Sequence, residues 1–301
     1  MKNNRQKLVV IDAPSNLGLS PPTKYSVPGC YKMPWVLHNL GLLAAIGAEY
    51  GGTIIPPRYN SFWEAGMGDR NSVEIAQYSV ALAQKVEAIL AQKNFPIVIG
   101  GDCSILIGNA LALRNLGNYG LVFVDAHSDY RHPGNSENIG AAAGEDLAIV
   151  TGKGDHRLIN INGRGPYINS ANVVSLGILT TDENIPEMQN DGITIFTNQD
   201  LMGGQNVNIV LDKLKTRTDG FWIHMDFDAI DKSEMSAVDC PEATGISFER
   251  LANILQSILA RPECVGINFT IYDPDLDPDF EQGKKVLHFI KTILASKKPN
   301  I

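Results

Sequence analysis

Two aspartates and a histidine follow one apolar run of the chain at every second position. The run, residues 120–124 (Gly-Leu-Val-Phe-Val), is typical of a strand buried on both faces. Asp125, His127 and Asp129 come next. Alternate side chains of an extended segment point to the same side, and two carboxylates held close together repel each other unless a cation lies between them. The spacing therefore predicts a metal site; the alternative is a polar loop that caps the next helix.

A second apolar run, residues 221–225, ends in the same way at Asp226 and Asp228. Four carboxylates that meet at one place need at least two positive charges to remain ionised. Lysine is scarce near these motifs, and Arg131 is the only arginine in either of them. A pair of divalent cations is the simplest neutraliser, so a metal centre is favoured over a hydrogen-bonded network of acids. His224, two residues before Asp226, is interpreted as a core histidine whose hydrogen bonds are satisfied.

The elements that position these motifs are short strands that alternate with helices, which favours a parallel sheet covered on both faces. The predicted strands are residues 8–11, 53–55, 96–99, 120–124, 172–177, 193–196, 221–225 and 265–270. The predicted helices are residues 36–50, 71–93, 104–113, 141–150, 207–214, 247–260 and 280–296. No linker or break in composition interrupts the pattern, so we expect a single domain over residues 1–301. Ligands of such sheets bind beyond the carboxyl ends of the strands, where the acidic motifs lie.

The helix after residue 71 carries a more detailed prediction. Asn71 and Glu74 have the spacing of a capping box at its first turn. The residues expected to form its buried stripe are Ala76, Val80, Ala83, Val86 and Leu90.

Composition narrows the classes of function. The 301 residues are 44% hydrophobic and 19% charged, as in an ordinary globular protein, and the formal net charge of −8 disfavours nucleic acid or an anionic membrane as a partner. The four cysteines have no Cys-x-x-Cys spacing, which argues against a zinc knuckle or a disulfide framework. No apolar run approaches the length of a membrane span or follows the basic start as a signal sequence would. We therefore expect a cytoplasmic protein.

Three motifs in order resemble those of the ureohydrolases, the arginase and agmatinase superfamily. They are Gly100-Gly-Asp-Cys-Ser104, Asp125-Ala-His-Ser-Asp129 and Asp226-Phe-Asp-Ala-Ile-Asp231, and the similarity continues through the segment 236–245. The resemblance covers nearly the whole chain; it is specific for the superfamily and less so for the substrate. It implies a three-layer α/β/α fold around a mainly parallel eight-stranded sheet. It also implies two divalent metal ions, Mn²⁺ above all, and a homo-oligomer, since relatives commonly form trimers or hexamers.

The resemblance further implies a ligand for each position of the metal pair. The first ion is held by Cys103, Asp125, Asp129 and Asp226. The second is held by Asp125, His127, Asp226 and Asp228, so that Asp125 and Asp226 bridge the two ions. Two cations about 3.5–4 Å apart lower the pKa of a shared water from 15.7 toward about 7, and the hydroxide attacks a guanidinium carbon to release urea and an amine. Asp129 is the expected acceptor and later donor of the proton; its alternative role is that of a ligand alone.

Cys103 stands where most relatives have histidine. A thiolate is softer than imidazole, so the first metal position can be less selective for manganese. The alternative is a small buried apolar residue after a glycine turn. A similar cysteine occurs in the branch that includes the hydroxyarginine amidinohydrolase of cycloserine biosynthesis, so the change does not by itself imply inactivity.

Other departures concern the residues that read the substrate. Arg131 replaces an asparagine that reaches the substrate's α-carboxylate in arginases; it is either a bidentate donor to carboxylates or carbonyls, or a solvated loop charge. The loop at Asn138 lacks the arginase proton-shuttle histidine, for which His132 is the candidate replacement. Ile271 occupies the position of the glutamate that holds the guanidinium, and the candidates to replace that glutamate are Glu145 and Asp273.

These changes retain the metal ligands and remove the clamp for free arginine. We therefore predict hydrolysis of an arginine-type guanidino group to urea and an ornithine-type amine, with arginine in a peptide as the substrate, as in peptide arginases. One alternative is an amidinohydrolase of a small guanidine such as hydroxyarginine, agmatine or a guanidino acid. Another is a non-catalytic, metal-stabilised binding subunit, against which the intact acidic motifs argue, since unpaired buried carboxylates are costly.

Overall fold

The computed structural model describes residues 6–297, and within this range eight strands form one sheet. The strands are β1 (Leu8–Ala13), β2 (Glu49–Thr53), β3 (Phe95–Gly100), β4 (Gly120–Val124), β5 (Val173–Leu176), β6 (Thr194–Phe196), β7 (Phe221–Asp226) and β8 (Cys264–Thr270). Their order is β2-β1-β3-β8-β7-β4-β5-β6, and every neighbouring pair is parallel. The predicted eight-stranded parallel sheet is confirmed.

Helices cover both faces of the sheet and complete three layers. They are α1 (Met33–Asn39), α2 (Leu42–Ile46), α3 (Ser72–Ala91), α4 (Ile105–Leu116), α5 (Asp146–Val150), α6 (Ile185–Asn190), α7 (Asn198–Met202), α8 (Asn208–Lys215), α9 (Phe248–Leu259) and α10 (Glu281–Ile293). Short 3-10 turns lie between several of these elements. Among residues 6–297, no helix is both long and apolar enough to cross a bilayer.

Alternating side chains of the central strands build a separate core on each face. In β7, Phe221, Ile223 and Met225 join the core beneath α1, α9 and α10, whereas Trp222 points into the core beneath α3, α4 and α5. All four of these side chains are at most 1% exposed. Because both faces are covered, the strands are apolar throughout, which is the reason that the sequence showed them as continuous runs.

The first helix–strand boundary differs from the prediction. The predicted helix 36–50 is two helices, because Gly41 adopts φ 90° and Gly47 adopts φ 68°, and each ends a helical run. Strand β2 then begins at Glu49 and contains the glycines that were expected to end the helix. The predicted strand 53–55 therefore overlaps β2 only at Thr53.

The start of α3 also differs from the prediction. Asn71 has φ 55° and makes no cap; its side chain accepts from the amide of Asn60 and donates to the carbonyl of Leu17. The buried face is rotated from the expected one, and its apolar members are Ile75, Tyr78, Leu82, Ala83, Val86 and Ile89. Helices α6 and α7 were not predicted, although Thr197 forms a capping box with Asp200 at the start of α7.

The strand order brings the acidic motifs together. Strands β8 and β7 lie between β3 and β4, so the carboxyl ends of β3, β7 and β4 meet along one edge of the sheet. Gly100-Gly101 leaves β3 at that edge and turns sharply beside residue 15, where the carbonyl of Ser15 accepts from the amide of Asp102 at 3.0 Å. This turn delivers Cys103.

Gly101 is the position where the turn admits no side chain. A Cβ there would lie 1.7 Å from the carbonyl oxygen of Ser15, which is backbone and cannot rotate away. We expect Gly101→Ala to lower the free energy of unfolding by about 1–3 kcal/mol, measured by urea denaturation of the metal-free protein. The control is Gly203→Ala, where the nearest atom is 3.2 Å away and the backbone is right-handed, so the expected change is within about 0.5 kcal/mol. Equal changes in the two variants would contradict the steric assignment.

Candidate metal centre

The chain leaves β4 in a tight turn that aims its polar side chains into one place. Asp125 Oδ1 accepts from the backbone amide of His127 at 2.7 Å, which bends the chain immediately after the strand. Asp129 follows with φ 44°, a conformation that aspartate tolerates better than most residues. Asp125 is 1% exposed. The segment is therefore bent, and not extended as predicted; the bend brings Asp125 and His127 into one cluster, whereas Asp129 lines the cavity outside that cluster.

The end of β7 repeats this arrangement. Asp226 Oδ1 accepts from the amide of Asp228 at 2.8 Å and begins a 3-10 turn. Asp226 Oδ2 lies 3.3 Å from the hydroxyl of Thr270 on the adjacent strand β8. Both aspartates are at most 5% exposed. Each strand end thus fixes its first carboxylate through one oxygen and presents the second residue beside it.

The two strand ends and the turn after β3 form two separate clusters of candidate ligands. His127 Nδ1 lies 3.0 Å from Asp228 Oδ2 and 3.6 Å from Asp125 Oδ1. Cys103 Sγ lies 2.5 Å from Asp226 Oδ2, across 123 residues of sequence. In each of two groups, Asp125 with His127 and Asp228, and Cys103 with His224 and Asp226, one ligand atom from each residue lies within 4.8 Å of the others.

The electrostatics of these clusters are those of a site that needs cations. Burial, followed by the charges of Asp228 and Asp129, raises the pKa of Asp125 well above its usual range. Burial, followed by Asp228 and Asp125, does the same to the pKa of Asp226. Asp125 Oδ2 is buried without a hydrogen-bond partner among the described residues. A carboxylate oxygen left in this state, amid carboxylates, an imidazole and a thiol, fits a divalent metal pair.

His127 has a carboxylate at each ring nitrogen. Nδ1 faces Asp228, and Nε2 lies 3.3 Å from Glu242 Oε1. Burial lowers the pKa of His127, but hydrogen bonds with Asp125 and Asp228 outweigh burial and raise that pKa well above its usual range. A histidine that binds a metal through one nitrogen commonly donates its other N–H to a carboxylate, which fixes its tautomer. Glu242 lies in the segment 236–245, but its contact with His127 spans 115 residues of sequence and was not predicted.

The clusters form the floor of a cavity of about 450 Å³. Its walls are strongly acidic; the carboxylates that line it are Asp129, Glu145, Asp182, Glu183, Asp226, Asp228 and Asp239. Arg131 also lines the cavity and packs on Gly144, where a Cβ would lie 2.4 Å from Nη2. Its charge lowers the pKa of both Asp129 and Glu145, although burial raises the pKa of Asp129 to about 7. An acidic cavity above a metal pair suits a cationic group such as a guanidinium.

Two of the predicted site residues are not brought into this cavity. His132 Nε2 lies 2.9 Å from Glu187, and its Nδ1 accepts from the amide of Gly134, which holds the ring in a separate polar network. Asp273 accepts from the amides of Gly29 and Asp275 and caps a short turn. The proton-shuttle role predicted for His132 and the substrate role predicted for Asp273 therefore lack geometric support.

The third predicted substrate residue, Glu145, does line the cavity, but one of its oxygens is occupied. Oε1 accepts from the amides of Gly140 at 2.7 Å and Ala141 at 3.1 Å, which shapes the loop that includes Asn138. Burial raises the pKa of Glu145. Burial, followed by the charge of Glu145, also raises the pKa of Asp69 to about 8. Glu145 therefore holds the cavity wall in addition to facing the cavity.

Ile271 lines the cavity beside Cys103 and has φ 74°. A positive φ in a β-branched residue is a strained conformation that persists only where the surroundings fix it. The amide of Ile271 donates to the carbonyl of Gly101 at 2.8 Å, which ties the end of β8 to the turn after β3. The side chain is apolar at the position where the resemblance gives arginases a glutamate, so a guanidinium in this cavity would have to be held by other residues of the wall.

The fold and this site define a class, that of α/β metallohydrolases with ligands at the ends of parallel strands. A model of the Arginase family matches residues 51–294. The arginase of Staphylococcus aureus (strain COL) is 31% identical over 252 residues, which are 81% of this chain and 82% of that protein. The chain belongs to the arginase family, and it is a metal-dependent amidinohydrolase.

Solved structures agree in fold. The arginase of Bacillus caldovelox superimposes with a TM-score of 0.85 at 23% identity, covering 98% of this chain and 100% of that one. Formiminoglutamase of Trypanosoma cruzi with Mn²⁺ superimposes with a TM-score of 0.72 at 16% identity, covering 97% of this chain and 93% of that one. At these identities the likeness establishes the three-layer fold, which is the fold predicted from the sequence.

Glu242 offers a test of the geometry at His127. We expect Glu242→Ala to weaken binding of one Mn²⁺ about 10-fold or more, because the imidazole loses the carboxylate that orients it. Glu242→Gln keeps an acceptor oxygen and is expected to retain most of the affinity. Isothermal titration calorimetry on the metal-free protein measures both, with the exposed Glu249→Ala as a control for the loss of one negative charge. If all three variants bind alike, Glu242 does not act on His127.

Proposed function

We propose that the chain hydrolyses the guanidino group of an arginine-type substrate at a binuclear metal centre, and that this arginine lies within a peptide. The observation that carries the proposal is the presence of five candidate ligand side chains at or directly beneath the floor of an acidic cavity, with one oxygen of the buried Asp125 left without a partner among the described residues. The five side chains are Cys103, Asp125, His127, Asp226 and Asp228. The same convergence argues against a purely structural acid network, which would satisfy its own polar atoms.

The ligand assignment that we propose is the one implied by the resemblance. Cys103, Asp129, Asp125 and Asp226 would hold one divalent ion, and Asp125, Asp226, His127 and Asp228 the other. Manganese fits this oxygen-rich set, and it is the metal recorded with the Trypanosoma cruzi formiminoglutamase. When bound, the two cations lower the pKa of a water molecule that they share and offset the charge of the carboxylates.

The protein's own residues perform the remaining tasks. The acidic walls attract the guanidinium and align its carbon above the floor of the cavity. Asp129, in the turn that follows Asp125, takes the proton of the attacking water and returns it to the leaving nitrogen. The C–N bond that breaks separates urea from the amine of an ornithine-type product. Burial of the floor excludes bulk water and strengthens each of these interactions.

Three observations support a peptide over free arginine. The walls carry carboxylates, among them Asp182, Glu183 and Asp239, which would repel a free α-carboxylate that enters the cavity. Arg131, packed on Gly144, presents N–H donors that suit the carbonyl groups of a peptide backbone. The cavity is open to solvent at its outer end, where Cys240 is exposed, so a chain that continues beyond the arginine can be accommodated.

Agmatine, which lacks a carboxylate, is compatible with the same walls and is the favoured small-molecule alternative. A substrate with carboxylates, such as a guanidino acid, is disfavoured by the same repulsion, and so is a formimino-glutamate. A non-catalytic binding subunit is disfavoured by the retention of every predicted ligand. That the protein is a cytoplasmic homo-oligomer remains a prediction.

The substrate assignment is tested with protein loaded with Mn²⁺. Urea release is measured from free arginine, agmatine and an N-acetylated, C-amidated peptide with one central arginine. We expect kcat/KM for the peptide to exceed that for free arginine by about 100-fold or more, since each neutralised charge repulsion contributes on the order of 1–2 kcal/mol. A preference for free arginine would reject the peptide assignment, and a preference for agmatine would favour the alternative.

The ligand assignment is tested at Asp226. We expect Asp226→Ala to lose bound metal and urea release together, because the proposed assignment makes this carboxylate a ligand of both ions. Metal content by inductively coupled plasma mass spectrometry and a urea assay give the two readings. Asp275→Ala, in an exposed ion pair with Lys32, is the control and should retain both. Full turnover by Asp226→Ala would refute the assigned ligands.

A further inference from the structure

A chain of buried polar side chains lies beneath Cys103, on the sheet face that Trp222 shares. Trp222 Nε1 donates to Asn268 Oδ1 at 2.7 Å, and Asn268 Nδ2 lies 2.8 Å from His224 Nδ1. All three residues are 0% exposed. His224 also stacks on Phe123, with ring centroids 4.8 Å apart and planes 8° from parallel. The position and the plane of the imidazole are therefore fixed from two sides.

The direction of the hydrogen bonds follows from Trp222 alone. An indole N–H can only donate, so the atom of Asn268 that faces it must be the amide oxygen. The amide nitrogen of Asn268 then faces His224 and donates, so Nδ1 of His224 accepts. A neutral imidazole that accepts at Nδ1 carries its proton at Nε2. The chain of contacts thus sets the tautomer of His224 without reference to the metal.

The fixed Nε2–H points toward the metal centre and has no partner among the described residues. One ring nitrogen of His224, Cys103 Sγ and an Asp226 oxygen lie within 4.8 Å of one another. Because Nδ1 faces Asn268, we assign Nε2 as that nitrogen. Nε2 also lies 3.9 Å from Asp146 Oδ2. Binding a metal through Nε2 would require the other tautomer. In that tautomer the Nδ1–H of His224 would face the NH₂ group of Asn268, so two donors would meet. Rotating the Asn268 amide by 180° would instead bring its NH₂ group against the indole N–H of Trp222. His224 is therefore a donor here and not a ligand.

The acceptors around Nε2 differ in what they already receive. Neither oxygen of Asp146 has a hydrogen-bond partner among the described residues, but Oδ2 lies 3.9 Å from Nε2, beyond hydrogen-bond distance. Asp226 has a donor at each oxygen, the amide of Asp228 at Oδ1 and Thr270 and Cys103 at Oδ2. Cys103 Sγ is buried, and once it binds a metal it no longer donates to Asp226 and needs a donor of its own. Histidine at this position would bring its own second N–H for orientation; cysteine brings none.

We propose that His224 is a positioning residue of the first metal position, and that its Nε2–H donates to the sulfur of Cys103 when Cys103 binds the metal. This rests on the proposed metal centre. The hydrogen bond would hold the sulfur toward the cavity and stabilise its negative charge, as outer partners of metal ligands do. Such a hydrogen bond would link the cysteine on the turn after β3 to the histidine inside β7.

The test is a Co²⁺ titration of the metal-free protein, in which charge-transfer absorption from sulfur to cobalt reports ligation by Cys103. We expect His224→Leu to weaken the tighter Co²⁺ site by about 10- to 100-fold and to shift or reduce that absorption. His224→Gln, which keeps an N–H near the same place, should restore most of both. Trp222→Phe keeps an aromatic ring but removes the N–H that orients the Asn268 amide. We expect it to change the Co²⁺ affinity and the charge-transfer absorption in the same direction as His224→Leu, by a smaller amount.

A second background separates positioning from a general effect on the fold. In Cys103→His the sulfur is absent, so His224→Leu should change Co²⁺ affinity much less than in the natural chain. An equal loss of Co²⁺ affinity in both backgrounds would overturn the proposal. A double-mutant cycle in which His224→Leu couples to Asp146→Asn and not to Cys103→His would overturn it too. If the natural chain binds no Co²⁺ or Mn²⁺, the metal centre and this inference both fail. If it binds two ions and His224→Leu binds them as tightly, only this inference fails.

Discussion

The structure depends on the repulsion among carboxylates that the sheet forces together. Two unit charges 4 Å apart at an effective dielectric constant of about 20 interact by about 4 kcal/mol, whereas a hydrogen bond contributes about 1 kcal/mol net. Backbone amides at Asp125 and Asp226 therefore orient these carboxylates but do not offset their charge. His127 and Arg131 offset part of the charge, as their effect on the pKa of Asp129 shows. Divalent cations at the floor of the cavity would offset the rest, which would make the acidic cluster both a cost to the metal-free fold and the source of metal affinity.

The residues around the acidic cluster have different roles according to their distance from the proposed metal positions. Backbone amides fix the first carboxylate of each strand end, and Glu242 and Thr270 hold His127 and Asp226 from behind. Farther out, Glu145 shapes the loop of the cavity wall through the amides of Gly140 and Ala141. The candidate metal ligands match the arginase motifs, whereas the outer wall of the cavity, with Arg131 and Ile271, differs from the arginase pattern. The chemistry and the choice of substrate can therefore change separately.

The features that depend on the local pattern of apolar and polar residues were predicted from the sequence. Eight strands, their parallel arrangement and the convergence of Asp125, His127, Asp226 and Asp228 all follow from apolar runs and from the spacing of side chains beyond them. Helix boundaries failed at Gly41 and Gly47, because a glycine in the left-handed region looks the same in sequence as one inside a strand. His132 and Asp273 were selected by proximity in sequence, but their hydrogen bonds hold them elsewhere.

Contacts between distant segments account for what the sequence did not show. His224 was predicted as a satisfied core histidine. It is in the core, yet its Nε2 has no hydrogen-bond partner within residues 6–297, and its ring lies near Cys103, which no pattern within β7 reveals. Glu242 likewise reaches His127 only after strands β4 and β7 have paired. Such residues are found from the folded chain or from pairs of positions that vary together.

The order of strands in the sheet has a consequence for how the protein is made. Strands β3 and β4 are synthesised in succession but never pair; β7 and β8, which lie between them, leave the ribosome more than a hundred residues later. Until then a nascent chain carries two separate groups of strands, β2-β1-β3 and β4-β5-β6, each with an unpaired edge. Cys103 follows the first group and Asp125 belongs to the second, whereas Asp226 and Asp228 arrive only with β7. Closing that gap requires contacts of long sequence separation, which fold slowly and leave edges available to the wrong partner. The strand order thus makes the interval before β7 and β8 pair the stage at which these edges are most exposed to association.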